Sequence, residues 1–154
     1  FLLLAWRYGF GLRFRKSNKD NGMTLAKPHF SFWIIAAVGL LWNLMGCLNY
    51  IMQANADAVA QMPELYQAII AVRPAWATAA FAIAVFGGAV GCILLLLRRR
   101  VASAAFVVSL IAIAGHSVFT LRLAGAAPSL VMVVLVGVAL LWYSSIARRS
   151  GWLG

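Results

Sequence analysis

Four stretches of this chain run for about twenty residues or more without a charged side chain. At about 1.5 Å of helical rise per residue, each is long enough to cross a hydrocarbon layer about 30 Å thick. The first is uncharged over 30–56, with its apolar centre at 30–52. The second lies between Arg73 and Arg98 (75–97) and the third between Arg100 and Arg122 (101–121). The fourth lies between Arg122 and Arg148, centred on 129–147. None alternates apolar and polar residues as barrel strands do, and in lipid only helices and closed barrels satisfy their own backbone. The fold class this predicts is all-α: an antiparallel bundle of four transmembrane helices over 30–154, preceded by a basic, aromatic segment over 1–29.

Composition excludes the soluble alternative. A soluble domain covers itself with about a quarter charged residues, whereas this chain is 64% hydrophobic and 10% charged, with a mean hydropathy of +0.93. The net charge of +10 would suit nucleic acid if the cations shared a face. Here they punctuate apolar runs, so the predicted partners are membrane lipids and other transmembrane helices, in a hetero-complex or a homo-oligomer, and no nucleic acid.

The same cations predict orientation. Arg7, Arg13, Arg15, Lys16, Lys19, Lys27, Arg98, Arg99, Arg100, Arg148 and Arg149 fall on one side, leaving Arg73 and Arg122 on the other with Asp57 and Glu64. The positive-inside rule then places both termini in the cytoplasm and the chain in the inner (plasma) membrane as a multi-pass protein. Trp33, Trp76, Trp142 and Tyr143 near the span ends suit the two interfaces. In the link between the first two spans, Asp57 is predicted to cap a short turn. Pro63-Glu64 then opens a short interfacial helix over 63–72, carrying Leu65, Tyr66, Ile69 and Ile70. Residues 1–22 contain an aromatic, basic stretch too short to span, readable as an interfacial anchor or as sequence ahead of a start at Met23.

Small residues recur at one-turn spacing in three spans, which is how membrane helices approach closely. Ala36, Gly39, Asn43, Gly46 and Tyr50 form one stripe. Ala80, Ala84, Gly88 and Cys92 form a second, flanked by Gly87 and Gly91, and Ala105, Ser109, Ala112 and His116 a third. The predicted helix-packing residues are Gly39, Asn43, Gly46, Ala84, Gly87, Gly88, Gly91, Ser109 and Ala112. The Val/Leu-rich fourth span is predicted to show the most surface to lipid.

An ionisable residue at depth is a functional hypothesis by default, and His116 is the one within the spans. Counted from the span starts, His116 lies at about 22 Å and Asn43 at about 20 Å from the cytoplasmic edge, so the two are predicted to meet. Three readings stay open for His116: a packing hydrogen bond, a pigment or haem ligand, or a proton or solute site. His29 reads as solvated. Cys47 and Cys92 are predicted about 17 Å apart along the membrane normal, too far to pair. No span contains Asp or Glu, Pro28, Pro63, Pro74 and Pro128 mark starts rather than breaks, and neither a metal-ligand spacing nor a nucleophile–base pair is present. The chain therefore does not read as an enzyme, and no cofactor can be named.

The segments FSFWIIAAVGLLWNLMG (30–46), Pro74-Ala75-Trp76, FGGAVGCILLLLRRR (86–100) and Ser109-Leu110 resemble a group of small bacterial four-helix inner-membrane proteins often labelled "sugar transporter". Members tend to carry an aspartate before a tyrosine at the end of the first span, where this chain has Asn49-Tyr50. The resemblance implies a bacterial four-helix membrane protein. The leading expectation for function is an accessory or scaffolding subunit packed against partner helices. The alternatives are an oligomeric small-solute transporter for a sugar-like molecule, or a pigment- or haem-binding subunit through His116.

Overall fold

The computed structural model describes residues 26–124 and 128–154. The 1–22 segment, with its suggested anchor, lies outside the described residues. Among the described residues the fold is all-helical: α1 (Phe30–Gln53), α2 (Ala56–Ala60), α3 (Glu64–Ala71), α4 (Ala75–Leu96), α5 (Ala102–Ala124) and α6 (Pro128–Arg149). Four of these, α1, α4, α5 and α6, are long and apolar enough to cross a membrane.

Helix α4 is the centre of the assembly, with α1 against one side, α5 against another, and α6 seated on α5. Its buried face is Ala77, Ala84, Gly88, Ala89, Gly91, Cys92 and Leu95, nearly all small. Buried positions make up 33% of the apolar stretch of α4 but 17% of that of α6, so α6 is the most exposed of the four, as its Val/Leu-rich sequence predicts. The core gathers at one end, where Phe32 and Ala36 of α1 meet Leu95 and Cys92 of α4, Phe106 of α5, and Leu140 and Ala147 of α6.

That end is closed by a clasp between helix termini. Both α4 and α6 finish in the motif where the two N–H groups after the helix bond back to orphan carbonyls. In α6, Gly151 (φ 72°) takes the left-handed position, with Gly151 N–H donating to Arg148 O and Trp152 N–H to Ala147 O. In α4 the same position falls to Arg98 (φ 57°), where a side chain costs about 1–2 kcal/mol, and Arg98 and Arg99 N–H donate to Leu95 O and Leu94 O. The guanidinium of Arg98 offsets that cost by donating to Trp152 O at 2.8 Å and Ala26 O at 2.6 Å. Arg100 Nε donates to Leu153 O at 3.1 Å, and the Gly154 and Arg98 backbones join at 2.7 Å. Leu153 is thereby fully buried, and Trp152 lies edge-on to Phe32 and to His29 at 5.9 Å.

Between α1 and α4 the short helices follow from their caps. Asn55, not Asp57, caps α2: its side chain accepts from Asp57 N–H at 2.9 Å, and Asp57 occupies the first turn instead. Asn55 stands at the residue before the helix, from which a side-chain oxygen reaches the free N–H groups of the first turn, whereas Asp57 is already inside it. Pro63 is the N-cap of α3, and Gln67 ties α3 back to α2 by donating to Ala60 O at 3.2 Å, and to Met62 O in the link at 2.7 Å.

Two variants separate close packing from mere helix content. A Cβ on Gly88 would run into the Asn43 side chain, whereas one on Gly115 meets nothing within 4 Å. Gly88→Leu should destabilise the fold by about 1–3 kcal/mol, the cost of overpacking. Gly115→Ala should be neutral or stabilising by up to about 1 kcal/mol. Thermal unfolding in mild detergent reads both. Separately, Arg98→Ala should speed amide hydrogen exchange at Arg100 and Gly154, whose N–H groups depend on the clasp, while leaving mid-α4 amides unchanged.

Candidate functional site

Towards the opposite end from the clasp the packing is incomplete. Leu140 of α6 touches Gly39 of α1, but past that level a cavity of about 420 Å³ comes between the helices. That volume lies within the range of small-molecule sites, roughly 300–1,000 Å³. Trp42, Met45 and Asn49 of α1 form one lip and Leu130 and Val133 of α6 the other, with Phe81, Val85 and Gly88 of α4 and Phe106, Ser109, Ile113 and His116 of α5 behind them. Tyr66 and Ile69 of α3 and Arg73 sit over the mouth. The cavity is thus enclosed on the α4–α5 side and open between α1 and α6.

Its polar groups divide by depth. At the floor they are satisfied: Asn43 Nδ2 donates to Gly39 O at 2.8 Å and makes a longer contact of 3.7 Å to Cys92 Sγ, and Ser109 Oγ donates to Ala84 O at 2.6 Å. Near the mouth they are not. Arg73 Nε, His116 Nδ1 and Ser117 Oγ are buried without a hydrogen-bond partner, and a buried polar atom left unpaired costs free energy. Thr120 Oγ1 lies 3.1 Å from His116 O and 3.3 Å from His116 Nε2.

The mouth is organised by aromatic rings. His116 stacks on Phe81 at 4.9 Å, Tyr50 lies 5.8 Å from Phe81, and the Arg73 guanidinium stands over the Phe81 ring at 5.7 Å. Arg73 Nη1 donates to Gln53 Oε1 at 2.7 Å, and Gln53 in turn donates to Asn49 at 3.3 Å. Burial lowers the Arg73 pKa from its ordinary value, because desolvation disfavours the charged form. Its ring contact and amide partner fix a cation there without a neutralising carboxylate. Asp57 and Glu64 are exposed and outside the cavity wall.

The structure places the sequence-singled residues unevenly. Gly46 faces Val85, Gly87 faces Ser109, Gly88 faces Asn43, Gly91 lies under the Phe106 ring, and Gly39 receives Leu140. Ala84 is buried and Ala112 half-buried. Asn43 and His116 line one cavity but do not meet, contrary to the depth count. Asn43 is level with Gly88 and His116 with Phe81, seven residues or about 10 Å apart on α4. Counting each depth from its own span start assumed that all spans begin at one plane. Cys47 and Cys92 are both buried and free. Cys92 lies level with Gly39 and Asn43, which puts Cys47 one to two turns further along α1. His116, the suggested cofactor ligand, has an aromatic ring on one face, and among the described residues no group of three His, Cys, Asp or Glu side chains could hold a metal.

Arg73, Phe81, Gln53, Ser117 and Thr120 carry the site, yet in the sequence Arg73 reads only as a topology marker and the other four do not stand out. One signal was available: Ser109, Ile113, His116 and Thr120 continue a single stripe of α5 towards the mouth. No family model, curated protein or solved structure matches the chain.

Ser109→Ala removes the buried bond from α5 to the Ala84 carbonyl. It should lower stability by about 0.6–1 kcal/mol, the scale of hydrogen bonds between membrane helices, as read by thermal unfolding in detergent.

Proposed function

We propose that this chain is a membrane-embedded binding protein or carrier for a small ligand lodged in the cavity between α1 and α6. One observation carries the reading. Three buried, unpartnered polar atoms, on Arg73, His116 and Ser117, lie on the wall of a single cavity. Groups of this kind are satisfied by something that fits among them. The absence of carboxylates and proline breaks from the spans argues against an ion-driven carrier of the broken-helix type.

In this reading the four long helices form an antiparallel bundle in a bacterial inner membrane with both ends in the cytoplasm. The ordered contacts Asn43–Gly88, Gly46–Val85 and Tyr50–Phe81 support opposite directions for α1 and α4. The distribution of cations supports the sidedness. Arg73 and the cavity mouth then lie at the outer surface. C-terminal and 53–74 reporter fusions should mark opposite sides of the membrane, and agreement between them would end the four-span assignment.

A second reading, an accessory subunit packed against a partner helix, has its own support. Val38, Leu41, Met45 and Leu48 of α1 are each about 60% exposed and recur at spacings of three and four, the stripe a partner helix would use. Thermal unfolding against a panel of sugars, amino acids, carboxylic acids and amines separates the two. The carrier reading expects saturable stabilisation by at least one compound, lost when Val133→Trp fills the cavity. A flat panel together with a stoichiometric partner after mild extraction selects the second.

A further inference from the structure

We infer that the cavity takes a single-chain amphiphile with a monoanionic head, a fatty-acid-type carboxylate, its head on Arg73 and its chain on the apolar floor. This rests on the ligand-cavity reading above and names the class of ligand.

The head follows from what Arg73 has left to give. Nη1 is engaged by Gln53, and Nε is buried and unpartnered. The Nε–Nη2 edge of a guanidinium is the planar fork that grips an oxyanion with two parallel bonds. Carboxylate and phosphate heads share that chemistry, and charge chooses between them. Among the described residues Arg73 is the single cation on the cavity wall, so one negative charge is balanced there. A phosphate monoester carries about −1.5 to −2 at neutral pH and would bury an excess.

The chain follows from the floor. At the floor Asn43 and Ser109 donate to the Gly39 and Ala84 carbonyls, so these donors are engaged within the protein. Val85, Phe106, Val136 and Leu140 supply the surface. The Arg73 guanidinium stands over the Phe81 ring, and Phe81 and the floor at Gly88 are seven residues or about 10 Å apart along α4, the depth along which an apolar tail extends from the head. The opening between α1 and α6 faces hydrocarbon, so a tail can enter sideways while the head stays at the mouth.

Native mass spectrometry and thermal unfolding of the full chain in dodecyl maltoside test this with laurate, dodecanol, dodecyl phosphate and dodecyltrimethylammonium. Laurate should form a one-to-one adduct and stabilise the protein saturably, above dodecyl phosphate and well above the neutral and cationic chains. Arg73→Gln should weaken laurate about ten- to a hundredfold, the worth of charge-assisted bonds, and Arg73→Lys should retain part of the affinity, which guards against simple misfolding. Val133→Trp should weaken laurate and dodecanol alike. Dodecanol equal to laurate, or laurate unaffected by Arg73→Gln but lost in Val133→Trp, overturns the anionic head while leaving the cavity reading standing. Dodecyl phosphate tighter than laurate overturns the carboxylate. Laurate indifferent to both variants overturns the inference and the cavity reading together.

Discussion

The close approach of α4 and α5 is the contact on which the remaining packing depends. Gly87 sets its backbone against Ser109, Gly91 lies beneath the Phe106 ring, and the Ser109 hydroxyl reaches the Ala84 carbonyl at 2.6 Å. In a membrane the hydrophobic effect does not draw apolar helices together, so van der Waals fit and hydrogen bonds must do so. Glycine and alanine on α4 permit that fit, and the opposite edge of the same helix offers Gly88 and Cys92 to α1. With α1 and α5 both committed to α4, α6 packs along α5 and meets α1 towards the clasp end, through Leu140 and Tyr143. The gap between α6 and α1 is therefore a geometric result of giving one helix two close neighbours.

That gap explains why polar side chains sit where they do. Where helices touch, polar groups find partners across or along the helix, as for Asn43 Nδ2, Ser109 and the Ser144–Ser103 hydroxyl pair at 3.3 Å, with the buried Tyr143 hydroxyl as an exception. Where they part, His116, Ser117 and Arg73 keep donors and acceptors unspent. A protein whose only requirement was packing would gain by replacing them with leucine or phenylalanine of similar volume. Their retention around one apolar-floored space is a physical reason to regard that space as built for a molecule with both polar and apolar parts.

Much of the fold was legible because its rules are one-dimensional. Uninterrupted apolar length located the four long helices to within a few residues, and small-residue spacing marked Gly39, Gly46, Gly88 and Gly91, all of which stand at close contacts. The relative depth of residues on different helices was not legible. Pairing Asn43 with His116 required the helices to share a starting plane, and the offset between α1, α4 and α5 is set by side-chain fit that no single span encodes. Arg73 was hidden for another reason. Beside Pro74 in a loop it reads as a topology marker, and only the turn between α3 and α4 brings it over Phe81.

The clasp at the closed end has a consequence for assembly. Ala26, Phe32 and Arg98 meet residues 151–154, among the most sequence-distant contacts in the described residues. Chain leaves the ribosome in order, so the Phe32 ring of α1 waits for Tyr143 of α6 and then Trp152 before it is covered. During that interval α1 is available to any other helix with a complementary face. Residues 151–154 therefore complete the contacts of the clasp only after all four long helices have been made.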